Sequence, residues 1–212
     1  MNTFSTVAVT ALLAAGAAAG AAAQTQTQTS PDPSAASSPH QHESMKNSTK
    51  AETDSAVEAG SNPATFVKTA ALDGMTEVEL GKLAASKSST SDVKKFAQKM
   101  VQDHEQANQQ LTAIARAKGL AVPTKLDAKH EAMVKELSSK SGAAFDSAYA
   151  SHMAKAHTKA VALFEAASQS SDSDLAAFAT KTLPTLQQHE QLANNLNASV
   201  ETRTASAPAK DK

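Results

Sequence analysis

From residue 63 onward, apolar residues return every three or four positions, the period of a helix with one buried face. In the first such segment, Pro63 to Ala85, the apolar arc is Phe66, Val67, Ala70, Gly74, Val78, Gly81 and Ala84. Asn62 is suited to cap it, with Pro63 in the first turn. A polar turn at Ser86 to Thr90 precedes a second helix, which runs to Lys118 on Val93, Ala97, Met100, Val101, Leu111 and Ala115. Gly119 and Pro123 stop it. Leu126 to Leu137 reads as a short amphipathic helix. A third long helix covers Ala143 to Ser168, with Phe145, Tyr149, Met153, Ala156, Ala160 and Phe164 on one face. The fourth starts at an Asp172 cap and reaches about Val200, with Pro184 expected to kink it. No alternating strand pattern occurs. The pattern predicts an all-α protein: an up-down-up-down four-helix bundle with a short extra helix between helices two and three.

Four residues break the apolar stripes. Glu77, His104, His157 and His189 each fall on the oily face of a different long helix. Such a set describes a bundle with a polar site in its core. An unpaired buried carboxylate is costly, so Glu77 requires a partner. His104 and His157 stand at nearly the same height. Glu77 and His189 lie 9 and 17 residues from their turns, a difference of about 12 Å of helix rise. Helix stagger or the Pro184 kink would have to bring them level. One carboxylate with up to three imidazoles suits a single Zn, Fe, Mn or Cu ion. A structural Glu–His network and four unrelated boundary positions are the other readings of the same residues. Asp103 and Glu190 lie at the margins of their arcs. Asp146 and Tyr149 would either orient a ligand histidine or tie down the start of the third helix.

Composition narrows the classes. The chain has 212 residues, with 41% hydrophobic and only 3% aromatic side chains. That favours close helix packing over a β-sandwich. A net charge of −1 gives no footprint for nucleic acid. With no cysteine, thiolate metal sites, disulfides and a cysteine nucleophile are excluded. Residues 1–23 read as a cleaved signal peptide, although no Lys or Arg precedes the apolar run. The mature chain is therefore expected to be periplasmic or otherwise exported, with no transmembrane span. Residues 24–62, rich in Gln, Thr, Ser and Pro and poor in large apolar residues, are expected to be a disordered linker. Residues 201–212 are expected to be a disordered tail, leaving 63–200 as the domain.

Four stretches carry a family resemblance: FVKTAALDGMTEVELGKLA, VKKFAQKMVQDHEQAN, SGAAFDSAYASHMAKAH and TLPTLQQHEQLA. Together they resemble the bacterial exported proteins grouped as the domain of unknown function numbered 4142, with a ferritin-like fold. The family's recurring residues correspond to Glu77, Asp103 with His104, Phe145, Asp146 and Tyr149 with His157, and Pro184 with His189. The resemblance implies a ferritin-like bundle and names no activity. Di-iron ferritin-like proteins use two Glu-x-x-His motifs. Here Val101 precedes His104 and Ala154 precedes His157, so ferroxidase or oxygenase chemistry is not implied. The expected function is metal binding in metal handling or envelope stress. The alternative is a non-enzymatic structural or interaction protein of the envelope, partnered by another envelope protein or by its own copies.

Overall fold

The computed structural model describes residues 40–206. Six helices follow in order: α1 (His40–Ser61), α2 (Pro63–Lys87), α3 (Ser91–Ala117), α4 (Ala128–Ser138), α5 (Gly142–Ala167) and α6 (Ser173–Ala205). No strand occurs among the described residues.

Local chemistry sets the boundaries. Asn62 Oδ1 accepts the Thr65 N–H at 3.0 Å, and Pro63 stands where no helical donor is needed. Asp127 caps α4 by accepting the His130 N–H at 3.0 Å. Asp172 caps α6 by accepting from both Asp174 and Leu175 at 3.1 Å. Past α3, Gly119 takes φ 68°, and Leu120 N–H returns to the Ala115 carbonyl at 2.9 Å. A left-handed residue there favours glycine.

Short connections make two hairpins, α2 with α3 and α5 with α6, and these are the most extensive packed pairs. Contacts of α3 with α6 and of α2 with α5 join them, while α1 lies on α5 and α4 on α2. Lys118 reaches Asp172 at 2.9 Å and Asp174 at 2.8 Å, tying the end of α3 to the start of α6. Among the described residues, no helix is long and apolar enough to cross a membrane.

The core is divided. One apolar cluster contains Leu80, Phe96, Met100, Phe145, Met153 and Leu196. The other contains Phe66, Leu111, Leu163, Phe164, Phe178 and Leu186. On each of α2, α3, α5 and α6 a buried polar residue falls between the two clusters: Glu77, His104, His157 and His189. The second cluster is built on an aromatic trio, with Phe66 edge-on to Phe164 at 5.1 Å and Phe164 to Phe178 at 5.9 Å.

Two boundaries differ from the sequence expectation. Residues 40–61 form α1 rather than a disordered linker. The reason is small-residue packing. At Gly60 a Cβ would lie 2.2 Å from the Leu163 carbonyl oxygen, so bare glycine lets α1 approach the α5 backbone. Ala56 and Ala59 pack on the second cluster, and Lys159 meets Glu52 at 2.9 Å. A search for large apolar residues overlooks this kind of contact. Likewise α6 continues to Ala205, where a tail from Glu201 was expected. Arg203 pairs with Asp92 of α3 at 2.8 Å there, and Val200 closes the first cluster one residue earlier than the expected tail. The leader reading at 1–23, the rest of the linker at 24–39 and the tail at 207–212 lie outside the described residues.

Candidate metal centre

The four intervening polar residues meet. His104, His157 and His189 each present one ring nitrogen, and the three nitrogens lie within 4.8 Å of one another. Their ring centroids are 5.7, 5.5 and 5.4 Å apart, close to an equilateral triangle. Glu77 joins on the His104 and His157 side, with its Oε2 2.5 Å from His104 Nε2 and 3.6 Å from His157 Nε2. Side-chain exposure is 4% for Glu77 and 0% for His157, so water screens little here.

The backs of two rings are held, and this decides which nitrogen faces inward. His157 Nδ1 lies 2.9 Å from the Met153 carbonyl oxygen. A carbonyl only accepts, so Nδ1 carries a hydrogen, and the one neutral tautomer this allows has its lone pair on Nε2. His189 Nε2 lies 2.8 Å from Asp103 Oδ2. Asp103 is held below its ordinary carboxylate pKa: burial works upward, but the bonds and charges of Lys99 and His189 outweigh it. It is therefore an ionised acceptor, His189 Nε2 donates, and Nδ1 is left with the lone pair. A histidine oriented by a carbonyl or carboxylate behind it is the usual arrangement around bound metal.

Within the cluster, four buried atoms satisfy no hydrogen-bond geometry: Glu77 Oε2, His104 Nε2, His157 Nε2 and His189 Nδ1. Two of these atoms, Glu77 Oε2 and His104 Nε2, nevertheless stand only 2.5 Å apart as a carboxylate–imidazole pair, and each displaces the pKa of the other. Each such atom costs on the order of 1–3 kcal/mol if left unsatisfied. Together they form a nitrogen-rich donor set with one hard oxygen, suited to a divalent transition metal.

The electrostatics follow from burial and proximity. Burial alone would raise the Glu77 pKa, but the neighbouring His104 and His157 prevail and hold it well below the usual carboxylate range. Burial would lower that of His104, yet the Glu77 carboxylate overrides it and raises it. His189 is pushed down to about 4, chiefly by burial and then by its histidine neighbours, with Asp103 opposing. It is neutral near pH 7, as a ligand must be.

The remaining sequence candidates have other partners. Asp103 stands behind His189 and is itself braced by Lys99 at 2.8 Å. Asp146 Oδ2 accepts from Thr90 Oγ1 at 2.6 Å, anchoring the start of α5 to the α2–α3 connection rather than orienting a histidine. Glu190 Oε1 accepts from Thr158 Oγ1 at 2.7 Å, a tie between α5 and α6. Tyr149 is buried, stacked on Phe145 at 6.1 Å, and its hydroxyl has no partner. Burial and then the Glu77 charge raise its pKa, so it stays a neutral phenol. Two supports escaped sequence reasoning. Lys99 stands one helical turn before Asp103, a spacing that would have revealed it. His130 of α4 meets Asp127 of its own cap at 2.6 Å and Asp73 of α2 at 3.2 Å, the second a tertiary pairing with no local signal.

Fold and site thus define an all-helical bundle protein with a buried Glu/His cluster between two apolar cores. The chain belongs to the family described as Domain of unknown function (DUF4142), whose model matches residues 46–196. The match begins within α1 and ends in α6, so it spans every residue of the cluster. No curated protein and no solved structure matches the chain.

Proposed function

We propose that this protein binds one divalent transition-metal ion (Zn, Fe, Mn or Cu) through Glu77, His104, His157 and His189. The observation that carries this reading is the convergence of four buried atoms that have no other partner. A purely structural network would be expected to pair all four, whereas the Glu77–His104 contact leaves the inward nitrogens of His157 and His189 unmatched. A cation satisfies all four at once, and the brace behind His189 then strengthens its ligand. We read the helices α2, α3, α5 and α6 as a ferritin-like up-down-up-down bundle, with α4 in the long connection between the hairpins. We also read residues 1–23 as an export signal, which puts the site in the cell envelope and its role in metal handling or stress protection.

The test is elemental analysis of protein purified from its own compartment, followed by thermal melts before and after chelation. A ratio near one ion per chain, with a melt lowered by chelation and restored by metal, is expected. If a hundredfold excess over the dissociation constant is reached, stabilisation should be about 2.7 kcal/mol. Protein without metal, whose melt ignores Zn, Fe, Mn and Cu alike, would overturn the reading.

A second reading has one observation in its favour. The opposite pKa displacements of Glu77 and His104 describe a buried ion pair that needs no metal. In that case the bundle is a structural or interaction protein, and Glu77→Gln with His104→Gln alters stability while metal leaves it unchanged.

A further inference from the structure

One side of the cluster is walled not by helix but by a partly enclosed cavity of about 40 Å³, bordered by Glu77, Asp103, His104 and His189. Small residues make the room: Ala70, Gly74, Ala107 and Ala160 line it where larger side chains would fill it. At Gly74 even a Cβ would lie 2.3 Å from Asn108 Oδ1, so the glycine lets the Asn108 amide settle at this wall. That volume exceeds what one water requires and admits a molecule of a few heavy atoms.

Charge selects the occupant. A divalent ion held by neutral histidines and one carboxylate retains a positive charge in a dry site, and such a charge is costly unless neutralised. Two further carboxylates border the cavity, but each is already engaged: Asp103 by Lys99 and His189, Asp73 by His130. The Asn108 amide lines the same wall and has no hydrogen bond among the described residues, so its N–H donors are available.

We propose that this cavity receives a small monoanion of a few atoms, which coordinates the ion beside Glu77, His104 and His189 and neutralises its remaining charge. This rests on the metal-binding reading above. Hydroxide, halides and pseudohalides belong to the class, and azide is the practical probe.

The experiment loads the full chain with cobalt(II), measures the cobalt-to-protein ratio by elemental analysis, and then titrates sodium azide while recording the visible d–d absorption. A saturable spectral change at one cobalt per chain is expected. Ala70→Leu on α2 and Ala160→Leu on α5 fill the cavity from two different helices. Either variant should keep its cobalt but weaken the azide response by about tenfold or more, the scale of one lost contact. A cobalt-loaded wild type that ignores azide overturns the cavity proposal and leaves the metal reading standing. An azide response equally strong in a cobalt-loaded filled variant also overturns it, because the anion would then arrive by another route. Failure of the wild type to hold cobalt removes the cavity proposal, and failure with Zn, Fe, Mn and Cu as well removes the metal reading. Should both variants lose their fold, the wild-type titration still decides.

Discussion

Asp103→Asn separates a metal site from a structural network without disturbing the apolar core. Asp103 touches no atom of the convergent set directly. Its Oδ2 takes the His189 Nε2–H at 2.8 Å and the Lys99 ammonium at 2.8 Å. The amide is nearly the same shape and can still accept one hydrogen, but it has no charge. Loss of a carboxylate behind a ligand histidine costs about 10- to 100-fold in metal affinity. That corresponds to about 1.4–2.7 kcal/mol. The Asp103 side chain is 22% exposed, so solvent screens part of its field. We therefore expect the lower end, about tenfold. The assay is a Zn competition titration against a chromophoric chelator, run beside urea unfolding of the metal-free proteins. Weaker Zn binding with a nearly unchanged urea midpoint is expected. Equal Zn affinity in Asp103→Asn and wild type would refute the claim that Asp103 tunes a ligand.

Three further outcomes follow from the packing. The metal-free protein should lose stability as pH falls from about 6.5 to about 4, because the unfolded chain protonates His189 first while the folded pKa is about 4. At 1.36 kcal/mol per unit the full cost is roughly 3 kcal/mol, and His189→Gln should flatten the slope in urea titrations across that range. An unchanged slope would show that His189 is not the group responsible. Gly60→Ala should lift α1 from α5 at a cost of about 1–3 kcal/mol, read as faster amide exchange confined to α1 and the α5 residues beneath it. Uniform exchange over α1 in both proteins would count against the close approach. Phe66→Ala should cost about 3–5 kcal/mol by opening the aromatic trio, measured as a shift in the urea midpoint, while a loss under 1 kcal/mol would mean that this cluster does not hold the fold.

Much of the architecture could be read before any coordinates. The stripes through Phe66, Met100, Met153 and Leu186 marked the four long helices, since a 3.6-residue period leaves little choice of partner face. Asn62, Asp172 and Gly119 marked boundaries by cap chemistry alone. The four polar residues stood out because a carboxylate or imidazole on an oily face is costly without a reason to be there. What escaped was α1, whose contacts rest on Gly60, Ala56 and Ala59. A missing side chain leaves no apolar signal, and only the approach of α5 gives it meaning.

The sequence alone determined α2 to α6, the buried faces of the four long helices among them and the identity of the four polar interruptions, because these depend on local period and on transfer cost. Only the tertiary structure decided that Glu77, His104, His157 and His189 stand level, which ring nitrogen of His157 and of His189 faces inward, and that Asp146 and Glu190 serve other helices. Those outcomes depend on helix stagger and on the hydrogen bonds that the backs of the rings donate to the Met153 carbonyl and the Asp103 carboxylate. The stagger and the Asp103–His189 contact, which joins residues 86 positions apart, lie beyond the reach of any pattern read along one helix.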